Sequence, residues 1–312
     1  MDTLLYVVAR ALMGFIQLLP LTIVARLGRM GGQIVYWLDG RHRRVALQNL
    51  SRCFGAEKSP SEIKVLVREN FRRIGENFGC AVKTAAMAPW EVARVLEVVG
   101  AEKLRVPASG KPDRNFVIAI GHFGNFELYA RAGHGVPGFQ FATTYRGLRE
   151  PSLNRVLQSL RERSGCRFFE RRTDAAALKA AMSGTGTMLG LLADQHAGDR
   201  GLRLPFFGVD CSTSAAPAVF ALRYHSQLHT AICHRLGLAR WRIEIGDEIP
   251  TVVNDHPRPV SEIMRDVNLA FETAVRRDPA NWFWVHNRWK PGKYRQAAVV
   301  EPAHDHAEME DH

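Results

Sequence analysis

The chain is poor in lysine. Of its 42 basic residues 8 are Lys and 34 are Arg. Acidic residues number 31, which leaves a formal net charge of +11. No C-x-x-C occurs, and the five cysteines, Cys53, Cys80, Cys166, Cys211 and Cys233, are odd in number and widely spaced. That excludes a disulfide scaffold, argues against a structural zinc site, and fits a reduced, cytosol-facing protein. No G-x-S-x-G is present, which speaks against a serine hydrolase of the nucleophile-elbow type. No H-E-x-x-H is present either. His225, His229 and His234 come nearest to a metal set, but on the strand expected after His229 their side chains diverge. The G-x-G-x-x-G match at 133–138 follows no strand and contains Pro137, so it is not a nucleotide loop. No linker and no internal repeat is visible.

A long charge-free run is also missing. In the apolar N-terminal segment, residues 1–40, the longest one is Ala11–Ala25, 15 residues with Pro20 inside it. A spanning helix needs about 20 apolar residues. A secretory signal would place its cations first, whereas here Asp2 comes early and Arg41, His42, Arg43 and Arg44 follow the apolar part. The segment therefore reads as an uncleaved anchor. It is either a short or tilted span flanked by Arg10 and Arg26 or a helix in the membrane interface; the alternative is an ordinary buried helix.

What remains is globular. Hydrophobic residues make up 46% and charged residues 23% of 312, enough for one large domain or two small ones. Arginine binds phosphate in a planar fork, and the net charge favours anionic partners: nucleic acid, an anionic membrane surface or a phosphorylated substrate. No nucleic-acid motif appears. The tail from Gln296 has few large apolar residues and reads as disordered.

Local signals place the elements. Ser59 and Glu62 have capping-box spacing with Pro60 between them, and Ile63, Leu66, Val67, Phe71, Ile74 and Phe78 recur at helical spacing behind it. Phe116–Ile120 is a short β-branched run suited to a buried strand, and Thr187–Leu192 is another. Further strands are expected over Phe139–Tyr145, His229–His234 and Trp241–Ile245. Helices are expected over Leu153–Arg163, after Asp174 as far as Ser183 with Gly184 as the stop, and from Ser261 to before Pro279. Strands alternating with helices imply an α/β fold, a sheet flanked by helices.

In such sheets ligands bind beyond the carboxyl ends of strands. Three ends carry polar residues: Gly121-His122-Phe123-Gly124-Asn125-Phe126-Glu127 after Ile120, Arg146 after Tyr145, and Asp194-Gln195 after Leu192. His122 and Glu127 are five apart, roughly 140° apart on a continuous helix, so they meet only if the chain turns between them. Gly124 permits the turn and Asn125 is a good helix cap. A carboxylate on one imidazole nitrogen would fix the tautomer and leave the other nitrogen free to take a proton from a hydroxyl.

These segments, in this order, resemble the bacterial lipid A biosynthesis late acyltransferases (the lauroyl and myristoyl transferases) and the related phosphatidylinositol mannoside acyltransferases. The resemblance covers about residues 1–295. It rests on RHRRVALQNL (41–50), the Phe71–Phe78 helix, GHFGNFE (121–127), TTYR (143–146), LLADQ (191–195), LPFFG (204–208) and WFWVHNRWK (282–290). It implies a glycerolphosphate-acyltransferase-like mixed sheet over residues 41–295. It also implies transfer of a fatty acyl group from an acyl carrier protein or coenzyme A thioester to a glycolipid hydroxyl, at the cytoplasmic face of the inner membrane. No metal or further cofactor is required, because the thioester is already activated. His122 would be the general base and Glu127 its orienting carboxylate. Asn125, Tyr145, Arg146, Asp194, Gln195 and Arg288 would bind substrate. Arg146 is the candidate phosphate clamp, Asp194 would hold Arg146 or touch sugar hydroxyls, and His286, Arg288 and Lys290 among Trp282, Trp284 and Trp289 would face headgroups. Two departures stand out: Asn287 where many members carry a basic residue, and His196 where many carry an acid. Alternative readings are a different lipid acceptor, such as a phosphatidylinositol mannoside or an aminolipid, and a non-catalytic basic protein of membranes or nucleic acid.

Overall fold

The computed structural model describes residues 2–291 apart from 105–111, 134, 135, 137 and 149. The tail from Gln296 lies outside the described residues, as does part of the 133–138 glycine motif. Four helices come first: α1 (Asp2–Leu18), α2 (Leu21–Leu38), α3 (Gly40–Phe54) and α4 (Pro60–Ala86). Pro20, which cannot continue a helix from the preceding turn, separates α1 from α2. The Asp39 carboxylate accepts the His42 N–H and starts α3. The Ser59–Glu62 capping box starts α4 as expected. No helix among the described residues is long and apolar enough to cross a membrane.

Helix α2 is bound closely to α4. A Cβ built on Gly32 would lie 2.1 Å from the Phe71 carbonyl oxygen, and one on Gly75 would lie 2.1 Å from that of Gly28. Only glycines allow this backbone-to-backbone approach. Polar pairs flank the crossing: Arg29 bonds Glu69 and the fully buried Glu76, and Glu76 also takes Arg235 Nε and the Ala239 N–H. The three N–H groups together satisfy a carboxylate that burial alone would make costly.

The rest alternates strand and helix: α5 (Pro89–Val92), β1 (Leu96–Val99), β2 (Phe116–Ile120), α6 (Tyr129–Ala132), β3 (Gln140–Tyr145), α7 (Pro151–Arg161), β4 (Arg167–Glu170), α8 (Ala175–Ser183), β5 (Thr187–Leu192), β6 (Leu202–Phe206), β7 (Val209–Thr213), α9 (Ala216–Arg223), β8 (Gln227–Gly237), β9 (Arg240–Ile249), β10 (Val252–Val253), β11 (His256–Pro257) and α10 (Val260–Arg277). Seven strands form one mixed sheet in the order β1-β9-β8-β2-β5-β3-β4. The run β8-β2-β5-β3-β4 is parallel, and β9 is antiparallel to β8. The other strands pair as two small hairpins, β6–β7 and β10–β11.

The unbroken apolar run of β2 follows from burial on both faces. Val117 and Ala119 join a core with Phe54, Phe71, Phe271, Trp282 and Trp284. Phe116, Ile118 and Ile120 join another with Met188, Ala231, Ile243 and Ile245. The two strands of the main sheet not expected from sequence, β1 and β4, are its four-residue edges. Edge strands bury too little to carry a long apolar run.

Candidate active site

Strand β2 delivers His122. Residues Ile120 and Leu192 pair across β2 and β5, so the residues two positions beyond them, His122 and Asp194, emerge side by side. Asp194 Oδ1 lies 2.8 Å from His122 Nδ1, and Asp194 Oδ2 accepts the His122 backbone N–H at 2.8 Å. Gly121 makes the approach feasible, because a Cβ there would lie 3.1 Å from the Asp194 carboxyl carbon and 2.6 Å from the Phe123 ring. Trp282 Nε1 donates to the same Oδ2 at 2.8 Å. Asp194 is 1% exposed. Burial pushes its carboxyl pKa up, but the neighbouring His122 charge and the hydrogen bonds from His122 and Trp282 outweigh it and hold the group at about 2. An ionised carboxylate only accepts, so His122 Nδ1 carries a proton, and in the neutral imidazole the lone pair falls to Nε2. The imidazole packs against the rings of Phe126 and Phe283, with centroids 4.9 Å and 5.9 Å away.

The expected His122–Glu127 pair does not form. The chain turns at Gly124, whose φ is +51°, and enters a short 3-10 turn over Phe126–Leu128. Glu127 faces Arg161 of α7 instead, with 2.8 Å from Nη2 to Oε1 and 3.3 Å from Nε to Oε2. Arg161 stacks on Phe168 at 4.8 Å and on Tyr145 at 5.8 Å. Asp194 thus takes the orienting position assigned to Glu127; it neither holds Arg146 nor, being 1% exposed, lies open to sugar hydroxyls, the two contacts expected of it.

His122, Glu127 and Arg161 line one cavity of about 630 Å³ together with Tyr145, Arg146, Gln195 and His196. The remainder of its wall is largely apolar and crosses the sheet from Val98 of β1, through Ile243, Ile245, Ala231, Ile118 and Ile120, to Met188, Gly190 and Leu192 of β5 and Phe141 of β3. It is a hydrocarbon-lined space with its polar groups gathered at the carboxyl ends of β2, β3 and β5, which are neighbours in the sheet.

Two expected binding residues lie elsewhere. Asn125 is buried, caps no helix with its side chain, and does not line this cavity. Arg288 is fully buried: Nη1 donates to the Gln195 and Ser212 carbonyls, Nη2 to Thr213 Oγ1, and the guanidinium lies over Phe206. Trp282, Trp284 and Trp289 belong to the core. The 282–290 segment is thus a strap whose tryptophans and Arg288 point into the interior and not at headgroups, while Asn287 and Lys290 are exposed. Asn49 of α3 and Asn70 of α4 fasten it by donating to the carbonyls of Trp284 and His286 and of Ala280 and Trp282. His286 Nε2 accepts the His196 N–H at 3.1 Å, and burial pushes its pKa down to about 4. Among the described residues no group of three or more His, Cys, Asp or Glu could hold a metal.

The family model of the bacterial lipid A biosynthesis acyltransferases matches residues 2–291. The chain belongs to this family. It is similar to the lipid A biosynthesis palmitoleoyltransferase of Escherichia coli (strain K12), 24% identical over 279 residues, which cover 87% of this chain and 86% of that protein. It is equally similar, over the same shares, to a lipid A biosynthesis acyltransferase of Shigella flexneri. The histidine-bearing cavity is therefore the candidate centre of an acyltransferase. Arg161 and Trp282 were not singled out from sequence as site residues. Arg161 sits in an ordinary amphipathic helix, and Trp282 reads as one tryptophan among several.

Proposed function

We propose that this acyltransferase moves a fatty acyl chain from an acyl carrier protein or coenzyme A thioester to a hydroxyl of a lipid A-type glycolipid precursor. The observation that carries the proposal is the His122–Asp194 pair at the polar end of a long apolar cavity. The acceptor hydroxyl approaches His122 Nε2, which takes its proton as the oxygen attacks the thioester carbonyl. Asp194 holds Nδ1–H and balances the imidazolium. The tetrahedral oxyanion collapses, the C–S bond breaks, and His122 returns the proton to the leaving thiolate. No covalent acyl-enzyme and no metal or cofactor enters this sequence. The acyl chain occupies the gallery over β1, β9, β8, β2 and β5. Arg146, exposed at the rim, meets a phosphate of donor or acceptor as a bidentate clamp, with Tyr145 and Gln195 beside it. Glu127 acts through Arg161, holding that guanidinium over Phe168.

The substrate is a lipid, and the N-terminal helices support docking on a membrane. Leu4, Leu5, Val8, Leu12 and Phe15 of α1 and Leu27, Met30, Ile34, Trp37 and Leu38 of α2 are exposed. Arg10, Arg26, Arg41 and Arg44 are exposed among and beyond them. Apolar side chains with flanking cations suit a helix pair lying in the interface of an anionic leaflet, here the cytoplasmic face of the inner membrane.

The test is acyl transfer by the purified full chain in detergent, with acyl carrier protein and coenzyme A thioesters offered separately against a lipid A-type precursor. Mass spectrometry reads the gain of one acyl chain. Wild-type transfer by a His122→Ala variant that circular dichroism shows to be folded would remove His122 from the mechanism. A matching lipid profile of cells with and without the gene, lacking one acyl chain, identifies the natural acceptor.

A further inference from the structure

A second cavity, of about 20 Å³, shares His122, Phe126 and Glu127 with the large one. Four side-chain amides line it; that of Asn77 accepts from Trp241 Nε1, and the other three are those of Asn70 of α4, Asn125 of the histidine turn and Asn281 of the strap after α10. They are 1%, 1% and 4% exposed. Each keeps one buried atom without a protein partner, namely Asn70 Oδ1, Asn125 Nδ2 and Asn281 Oδ1. The orientation of two of these amides is set by their own bonds. Asn70 Nδ2 donates to the Ala280 and Trp282 carbonyls, and Asn281 Nδ2 donates to the Cys233 carbonyl at 2.9 Å. Their oxygens are thus committed as acceptors.

The set offers two acceptors and one donor in a space that suits a single water, for which about 10–15 Å³ and two to four polar partners suffice. A water has two protons for the Asn70 and Asn281 oxygens and a lone pair for Asn125. An anion would face two carbonyl oxygens. A small cation would leave the Asn125 N–H unmatched. Buried amide atoms left unpaired would cost the protein free energy.

We propose that this cavity binds one ordered water, which accepts from Asn125 Nδ2 and donates to Asn70 Oδ1 and Asn281 Oδ1. The water ties together three segments that build the active centre. These are α4, the Gly124–Asn125 turn after His122, and the strap whose Trp282 bonds Asp194. It adds to the direct Gly124 N–H to Asn281 carbonyl bond at 3.0 Å. Asn125 is the clean probe, because the other two amides also bond the backbone.

The experiment is a crystal structure of the full chain, at a resolution that places ordered waters, with thermal unfolding of Asn125→Leu and Asn125→Asp. The expected result is one water within hydrogen-bonding distance of all three amide atoms, absent in both variants, with Tm lowered by on the order of 2–4 °C in each. The Asp variant keeps the shape and removes the donor, so it reports even where the Leu variant fails to fold. A dry cavity, a different occupant, or a water not shared by the three amides overturns the proposal. So does Asn125→Leu with equal or higher Tm, the outcome expected when an apolar group of similar shape replaces an orphaned buried donor.

Discussion

Asp194 accepts from His122 twice, the ring Nδ1 on Oδ1 and the backbone N–H on Oδ2, both at 2.8 Å. The double contact fixes the imidazole plane as well as its tautomer, since the carboxylate grips the residue at its ring and at its backbone. Neutralising that carboxylate while preserving its shape separates the two functions. Asp194→Asn can still bond the backbone N–H, but it can present an NH₂ to Nδ1 and so select the wrong tautomer. We expect kcat to fall by roughly 10²–10⁴ with KM little changed, in a protein that still folds. Steady-state kinetics on a thioester donor measure this, and a loss confined to KM would contradict it.

Glu127 and Arg161 form a unit of their own within the cavity. Removing either partner alone leaves the other group uncompensated in a partly buried setting. Glu127→Gln and Arg161→Gln are therefore expected to be non-additive, with a coupling of about 0.5–3 kcal/mol in kcat/KM. Glu127→Gln combined with Asp194→Asn should show the smaller coupling, because Glu127 makes no hydrogen bond to His122. A double-mutant cycle in which Glu127 couples to Asp194 more strongly than to Arg161 would restore the direct His122–Glu127 pairing.

The contrast between the two carboxylates shows what a sequence can carry. Strands β2 and β5, the capping box of α4 and the position of His122 at a strand end were all readable, because each rests on residues adjacent in the chain. That His122 meets Asp194 depends on β2 lying next to β5, with α6, β3, α7, β4 and α8 between them in sequence, and spacing does not encode that. Glu127 looked like the partner because it was near in sequence. Arg288 was misread for a related reason. Basic residues among tryptophans resemble a headgroup-facing belt, and only the packed structure shows its guanidinium bonded to two carbonyls and the Thr213 hydroxyl.

Gly190 lies mid-strand in β5 between Met188 and Leu192, and all three line the large cavity. A Cβ there would lie 3.3 Å from Ile120 Cδ1, a flexible methyl, and 3.8 Å from the Ala142 carbonyl oxygen. A larger side chain would therefore extend into the apolar gallery. Gly190→Leu should favour shorter acyl donors, with the product distribution from a graded series of thioesters displaced to lower mass. An unchanged distribution in a folded variant would place the acyl chain elsewhere.

Acid should loosen the strap at His286. Burial comes first among the causes that hold this pKa at about 4, with the nearby Arg288, His122 and His196 adding to it and Asp194 opposing it. The folded value lies below the 6.5 of a free imidazole. The unfolded chain therefore binds a proton that the folded one refuses, and the stabilisation is complete above pH 6.5 and drains away as pH falls towards 4. Protonation also removes the lone pair that accepts the His196 N–H. Tm of the wild type should fall across this window, and His286→Gln, whose amide oxygen can still accept that N–H, should show a shallower fall. Parallel profiles of the two proteins would assign the acid sensitivity to other groups.

The α2–α4 crossing admits no side chain at its closest points. A methyl group on Gly32 would lie 2.1 Å from the Phe71 carbonyl oxygen, which belongs to the helix backbone and cannot rotate aside. Gly32→Ala must therefore push the helices apart, and overpacking of this kind costs about 1–3 kcal/mol. Displacement also strains the Arg29–Glu76 pair, and Glu76 is the carboxylate that joins α4 to β8 and to the turn between β8 and β9. Gly31, one residue earlier, meets nothing within 4 Å, so Gly31→Ala is the matched control. It should leave stability equal or slightly improved, because alanine is the better helix former. Urea unfolding of the two variants in the same detergent measures the difference, and equal midpoints would mean that α2 is not held by close backbone contact with α4.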